Sequence, residues 1–183
     1  MKKLSFLVTF LLALALMLSG CGSDGNDYGD VLHDPAKAAE LQKILNEKTI
    51  TDGKIHKSFT LRPDGSISFE RQQATAPDKV DSYIFIGETK TWRNPAPVTF
   101  QLLGGGTHED LIEAINRDSW DFNSVDFKLI PTVVKAAEAK AEAEQIEGWK
   151  INYVSVNNSE FYVNIKGTRR NLAYKANLDG TPK

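Results

Sequence analysis

The chain begins with one long apolar run, and its later apolar segments are periodic. Residues 4–18 are apolar apart from one serine and one threonine, and two lysines precede them. Beyond residue 34, apolar positions recur with the period of a helix in some segments and with the period of a strand in others. The pattern therefore divides the chain into an apolar leader and a domain of mixed secondary structure.

Three segments have the period of amphipathic helices. The first is predicted at residues 35–48, with Asp34 as N-cap and Pro35 at the first helical position. The second follows Thr107, which caps a first turn containing two acidic residues. The third is predicted at residues 132–147, and Gly148 ends it. Its buried face is assigned to mostly small side chains, which would let it lie close to a sheet: Val133, Ala136, Ala139, Ala143 and Ile146.

Strands are predicted where apolar and polar residues alternate. Turn-forming residues such as Pro63-Asp64-Gly65 and Asn157-Asn158 separate them. The predicted strands are residues 55–61, 67–69, 80–86, 98–102, 149–156, 161–166 and 171–178. Residues 120–129 form a further apolar, partly alternating stretch.

These elements predict an α+β fold of antiparallel β-meanders with helices packed on one face. Residues 34–103 and 107–183 each contain a helix followed by a meander, so they are possible halves of a duplicated unit. Convergence on a common motif explains the pattern equally well, because the halves share little side-chain identity. The second half resembles the layout of small envelope modules such as PepSY-type domains. That resemblance is one of layout, and it implies no function.

The first 21 residues have the three parts of a secretory signal. Lys2 and Lys3 give a positive start, the apolar run follows, and Leu18-Ser19-Gly20-Cys21 ends it. This ending resembles the lipobox of bacterial lipoproteins. The resemblance implies that residues 1–20 are removed and that Cys21 is acylated as the new N-terminus. Cys21 is the only cysteine of the chain, so it cannot form an internal disulfide, and lipidation accounts for it.

The lipoprotein class implies a location in the bacterial cell envelope, anchored to a membrane by acyl chains such as palmitate. Residues 21–33 are then the lipidated cysteine and a flexible spacer, since residues 22–30 are nearly all small, polar or acidic. The globular domain is predicted at residues 34–183. Gly22 and Ser23 stand where an aspartate would retain an enteric lipoprotein at the inner membrane. The outer membrane is therefore favoured if the host is Gram-negative, facing the periplasm.

Charge and motif content argue against several functions. Without residues 1–20 the chain keeps 20 basic and 24 acidic residues, a net charge of −4. This balance gives no electrostatic case for nucleic acid binding. His33, His56 and His108 have no partners at metal-ligand spacing, and no serine lies in a G-x-S-x-G elbow. We therefore expect no metal, no cofactor and no catalytic residues.

Two clusters contain residue types that are favoured at protein interfaces. Trp92-Arg93 is predicted in a loop before Pro97, and Arg169-Arg170 at a hairpin tip. The alternative is that Trp92 folds back on the core and that the arginines are solvated. The leading hypothesis is a non-catalytic binding or assembly factor whose partner is another envelope protein. The alternatives are an inhibitor or immunity-type protein against a secreted hydrolase, and an enzyme acting on cell wall or glycan.

Overall fold

The computed structural model describes residues 28–50, 54–100 and 105–183. The predicted signal peptide, Cys21 and the first part of the predicted spacer lie outside these residues. Within the described part of the chain, no helix combines the length and the apolar character that a membrane crossing requires.

The described residues form three helices, each followed by one or more strands. In chain order these are α1 (Pro35–Lys48), β1 (Lys54–Leu61), β2 (Ile67–Gln73), β3 (Ala76–Ile86), β4 (Thr91–Trp92), β5 (Ala96–Pro97), α2 (His108–Arg117), β6 (Ser119–Asp121), α3 (Ile130–Ala143), β7 (Lys150–Val156), β8 (Phe161–Lys166) and β9 (Asn171–Ala176). Short 3-10 turns lie at Gly29–Leu32, Phe122–Ser124 and Phe127–Leu129. The predicted α+β fold with antiparallel meanders is confirmed.

One antiparallel sheet runs through both halves of the chain. Its strand order is β4-β3-β2-β1-β7-β8-β9, with β5 paired to β3 and β6 paired to β1. The meanders meet along their first strands, where Phe59 pairs with Val156 and Leu61 with Val154. The two possible halves are therefore neighbouring parts of one sheet, and they share one hydrophobic core.

The two long helices cover the same face of this sheet. The Asp34 side chain caps α1 by accepting hydrogen bonds from the backbone N–H groups of Ala36 and Lys37, at 2.8 and 3.3 Å. The buried residues of α1 are Ala38, Leu41 and Leu45, as the apolar stripe predicts. They join the buried residues of α3 and the inward side chains of the central strands in the core.

Phe59 of β1 lies among aromatic rings from three other segments. Its ring centroid is 5.3 Å from that of Phe69, 5.5 Å from that of Phe122 and 5.1 Å from that of Phe127. All four side chains are buried. The aromatic cluster therefore joins β1 and β2 to the two 3-10 turns that precede α3.

The short helix α2 lies on the opposite face of the sheet, unlike the two long helices. Gln72 pairs with Val80 across β2 and β3 on that face. The Gln72 side-chain amide donates to Asn116 Oδ1 of α2 at 2.8 Å, and Ile115 is buried. The predicted Thr107 cap is present, in a capping box with Asp110. Because α2 packs on β3 and β6, the face near β7 and β8 has no described helix above it.

The predicted strand at 98–102 is not seen in its described residues, and the apolar stretch at 120–129 is mostly turns. In the segment predicted at 98–102, residues 98–100 lie outside any strand, and β5 pairs with β3 just before them. The stretch 120–129 contributes only the end of β6, and 3-10 turns follow. The side chains of Asp121 and Asp126 accept hydrogen bonds from the backbone two residues on, at 2.8 and 3.0 Å. Such local bonds favour turns over continued pairing.

The globular part begins before the predicted boundary at residue 34. Tyr28, Val31 and Leu32 are only 5%, 1% and 1% exposed. The Tyr28 ring meets Phe85 of β3 edge-on, with the centroids 4.9 Å apart. Residues 28–33 of the predicted spacer therefore belong to the domain, because their apolar side chains pack into the core although their neighbours in sequence are polar.

The buried face of α3 also differs from the prediction. Its buried residues are Ile130, Val133, Val134, Ala137 and Ala141, whereas Ala139 and Ala143 are exposed. Val133 and Ile146 are buried as predicted, but Ala139 and Ala143 were assigned wrongly because alternating alanines offer several small-residue stripes of similar hydrophobicity. Burial of the larger Ile130 and Val134 removes more apolar area from water, and it selects the observed face.

Replacing Ala141 by leucine is expected to lower the free energy of unfolding by about 1–3 kcal/mol, because the larger side chain overpacks the contact between helix and sheet. The same replacement at the exposed Ala143 is the matched control and is expected to stay within about 0.5 kcal/mol of the parent. Urea unfolding of both variants checks this. A neutral Ala141→Leu would contradict the observed face of α3.

Candidate functional site

The part of the second sheet face without a helix carries a row of mostly polar side chains. They are neighbours because each pairs with the next across adjacent strands, from β3 through β2, β1, β7 and β8 to β9. In that order the row is Ile84, Ser68, Thr60, Ser155, Tyr162 and Lys175. It crosses the junction of the two meanders.

Two adjoining clefts open on this face and share Lys57 and Ser58; together they form the open-face groove. The larger cleft, of about 440 Å³, is lined by Lys57, Ser58, Arg117, Asp118, Ser155, Asn157, Asn158, Glu160 and Tyr162. The smaller, of about 210 Å³, is lined by His56, Lys57, Ser58, Thr60, Ser68, Phe69, Glu70, Ser82 and Ile84. Nearly all of these side chains are polar.

A bulge in β1 shapes the centre of the groove. The register between β1 and β2 shifts between His56 and Phe59, and Lys57 has a φ of +58°. The Lys57 N–H donates to the Asp118 carbonyl at 2.8 Å, and its carbonyl accepts from Trp120 Nε1 at 3.0 Å. These bonds tie the bulge to the segment after α2, and bulges commonly redirect side chains in this way. Arg117 and Asp118 thereby reach the wall of the larger cleft.

The Tyr162 ring forms one wall of the larger cleft. It stacks on Tyr153 of β7, with ring centroids 6.0 Å apart and an interplanar angle of 29°. Burial raises the pKa of the Tyr153 hydroxyl, and the neighbouring Tyr162 adds to the effect. The Tyr153 hydroxyl is therefore neutral at physiological pH.

Both carboxylates of the larger cleft have cationic partners. Glu160 accepts from Lys175 Nζ at 2.9 Å and from Lys183 Nζ at 3.0 Å. These two hydrogen bonds lower the pKa of the Glu160 carboxyl. The second carboxylate, Asp118, has Arg117 Nε at 3.4 Å. A general acid needs a carboxyl with a raised pKa, so Glu160 is poorly suited to donate a proton to a substrate.

His56 lies in the wall of the smaller cleft and is only 2% exposed. Its Nδ1 is 3.3 Å from Ser119 Oγ, whose hydroxyl donates to the Ile115 carbonyl at 2.7 Å. Nδ1 is therefore the donor, and Nε2 carries the lone pair. Among the described residues Nε2 has no hydrogen-bond partner. Burial, followed by the charge of Lys57, lowers the pKa of His56, so the imidazole is neutral at pH 7.

The described residues contain no candidate metal-binding site. No three or more His, Cys, Asp or Glu side chains come together there in a way that could hold a metal ion. His33 has one acidic neighbour, Glu138, at 3.2 Å.

Trp92 of the first predicted interface cluster packs against the core. Its ring centroid is 5.2 Å from that of Phe85 and 6.2 Å from that of Phe69. Trp92 lies in β4, at one edge of the sheet. Trp92 therefore folds back on the core, which the sequence left open as the alternative to an exposed interface position. Arg93 beside it is exposed.

Arg169 and Arg170 lie in the turn between β8 and β9, as predicted. Arg170 donates to the Glu144 carbonyl at 2.7 Å, and it is 3.4 Å from the Glu144 carboxylate, at the C-terminal end of α3. A cation is favourable there because of the helix dipole. Arg169 is 3.6 Å from Glu147, and its side chain is 87% exposed.

The structure does not bring the two predicted clusters together. The strand order places β4 at one edge of the sheet and β9 at the other. Neither cluster lines the open-face groove. Sequence reasoning missed the groove because its residues come from β1, β2, β3, β7, β8, the turn between β7 and β8, and the end of α2. The one signal in the sequence was the recurrence of serine and threonine at outward positions of the strands.

Two known proteins are similar to this chain. "Probable lipoprotein EnvF" of Salmonella typhimurium is 29% identical over 142 residues, which are 74% of this chain. They are 53% of EnvF, so the chain spans about half the length of that relative. A crystal structure described as "a putative lipoprotein (CD1622)" from Clostridium difficile 630 matches with a TM-score of 0.52 and 14% identity.

The structural match covers 86% of this chain and 93% of the other, and at that identity it shows the fold alone. No protein-family model matches the chain. Both similar proteins are described as lipoproteins.

Proposed function

We propose that the protein is a lipid-anchored, non-catalytic binding factor of the bacterial cell envelope. The observation that carries the anchor is the sequence Leu18-Ser19-Gly20-Cys21 at the end of the apolar leader. The lipoprotein descriptions of the two similar proteins support it. Cys21 is the proposed site of acylation. Gly22 and Ser23 favour the outer membrane if the host is Gram-negative.

The contents of the open-face groove favour binding over catalysis. Glu160 and Asp118 are ion-pair partners of nearby cations. The Ser119 hydroxyl donates to a backbone carbonyl, so it does not pass its proton to His56 as an activated nucleophile would. The groove offers many hydrogen-bonding groups and no such activated pair, which suits recognition of a ligand.

The anchor is tested by replacing Cys21 with serine. We expect the variant precursor to remain uncut by the lipoprotein peptidase and to incorporate no labelled fatty acid, because a serine hydroxyl is a far weaker nucleophile than a thiolate. Metabolic labelling with palmitate and gel mobility measure this. Ser23→Ala is the matched control and is expected to label normally. Labelling of Cys21→Ser at the parent level would refute the anchor.

We also propose that an envelope protein partner contacts Arg169-Arg170, Trp92-Arg93, or both. The two arginines are best tested singly, because Arg170 binds the end of α3. Arg169→Ala is expected to reduce crosslinking to the partner while the melting temperature stays unchanged. Arg170→Ala is expected to lower stability as well, by about 0.3–1 kcal/mol. Arg62→Ala, in an exposed turn, is the control.

Trp92→Ala is expected to destabilise the protein by loss of its contacts with Phe85 and Phe69, so its effect on binding has to be compared at equal folded fraction. The protein interface lies elsewhere if three variants all crosslink to the partner as fully as the parent does. These variants are Arg169→Ala, Arg93→Ala and correctly folded Trp92→Ala.

A further inference from the structure

We infer that the open-face groove binds an uncharged, hydroxyl-rich glycan chain. The inference rests on the binding role proposed above, but it does not require the lipid anchor. It assigns a ligand class to a surface that neither predicted cluster touches.

The groove presents the hydrogen-bonding groups that sugar hydroxyls need. Hydroxyl and amide side chains both donate and accept, as sugar hydroxyls do. Such groups line both clefts and include Ser58, Ser68, Ser82, Ser155 and Asn158. An apolar ligand would leave these groups without partners once water is displaced, which costs free energy for each buried group. A polyhydroxylated ligand replaces the water hydrogen bonds one for one.

The charges of the groove are largely compensated within the protein, which favours an uncharged ligand. Glu160 lies between Lys175 and Lys183, and Asp118 is next to Arg117. The Lys57 ammonium lies over the Phe100 ring, 5.9 Å from its centroid. A strongly anionic or cationic ligand would therefore compete with existing partners, whereas neutral hydroxyls can bond to the remaining lone pairs and N–H groups.

The shape of the groove suits a linear chain. The larger cleft falls within the range of about 300–1,000 Å³ that small-molecule sites occupy, and its volume is about 440 Å³. The smaller cleft adjoins it through Lys57 and Ser58 and extends it across β1. The Tyr162 ring, supported from behind by Tyr153, supplies a flat surface on which the C–H face of a sugar ring can lie.

His56 contributes a buried side chain to the wall of the smaller cleft. Its Nε2 is an acceptor without a partner among the described residues. Nε2 itself is covered by the protein, so His56 adds a neutral wall to the cleft rather than a direct contact with the ligand.

The test uses the full-length chain in detergent, as the parent and with Tyr162→Ala, Tyr162→Phe, Arg117→Ala and the exposed-turn control Arg62→Ala. The probes are the β-1,4-linked tetrasaccharide of N-acetylglucosamine and maltotetraose, both of which are uncharged. Titration calorimetry gives the dissociation constants, and circular dichroism shows that each variant is folded. The two oligosaccharides distinguish a wall-type glycan from another neutral glycan.

We expect the parent to bind at least one of the oligosaccharides. Tyr162→Ala should weaken binding about tenfold through loss of the stacking surface, whereas Tyr162→Phe should bind nearly as the parent because it keeps the ring. Arg117→Ala should weaken binding severalfold, and Arg62→Ala should not. Absence of binding to every glycan at millimolar concentration, or equal binding by the parent and Tyr162→Ala, would overturn the inference.

Neither outcome depends on acylation, which the Cys21→Ser labelling decides separately. If the parent binds no glycan but a protein crosslinks to residues of the groove, the groove is a protein interface and the glycan inference is wrong.

Discussion

Replacing Phe59 by alanine is expected to lower the free energy of unfolding by about 3–5 kcal/mol. Phe59 is fully buried, and its ring contacts Phe69, Phe122 and Phe127. Truncation removes apolar surface from the core and leaves a cavity that three rigid rings cannot easily fill. The position is also the point where β1 meets β7, opposite Val156. The loss should therefore affect both meanders in one cooperative transition.

Urea unfolding followed by both circular dichroism and tryptophan fluorescence measures this effect. Phe100→Ala is the matched control, since Phe100 is only partly buried and lies outside the strands; its cost is expected near 1 kcal/mol. Equal costs for the two variants would mean that the aromatic cluster does not organise the core. Two separate transitions for Phe59→Ala would contradict the single core shared by both halves.

Replacing Tyr28 by alanine is expected to cost about 3 kcal/mol, although the sequence assigned this residue to a flexible spacer. Tyr28 is 5% exposed, and its ring packs edge-on against Phe85. Deletion of residues 22–30, which a flexible spacer would tolerate, is expected to destabilise the protein because it removes Tyr28.

The melting temperature of Tyr28→Ala, with Tyr28→Phe as the control that keeps the ring, measures this contribution. Tyr28→Phe is expected to retain most of the stability. A melting temperature of Tyr28→Ala within one or two degrees of the parent would restore the boundary of the domain to residue 34.

The prediction from sequence succeeded for α1 and failed for the buried face of α3. For α1, the Asp34 cap, the proline after it and a clear apolar stripe all indicate the same element, and the structure has it at Pro35–Lys48. In α3, several alanine stripes are nearly equivalent in hydrophobicity. Contacts with the sheet selected Ala137 and Ala141 over Ala139 and Ala143, and no local pattern could have done so.

The helices and most of the strands depend on residues within a few positions of one another, so the sequence by itself determined them. The anchor at Cys21 stays a prediction from the same kind of local pattern. The joining of the meanders depends on the pairing of β1 with β7, and the groove depends on the bulge at Lys57 and its bonds to Asp118 and Trp120. Only the tertiary structure decided these features, because they arise from backbone hydrogen bonds between segments far apart in sequence. A backbone N–H or C=O group can pair with any strand that packing brings beside it, so the sequence of one segment does not name its partner.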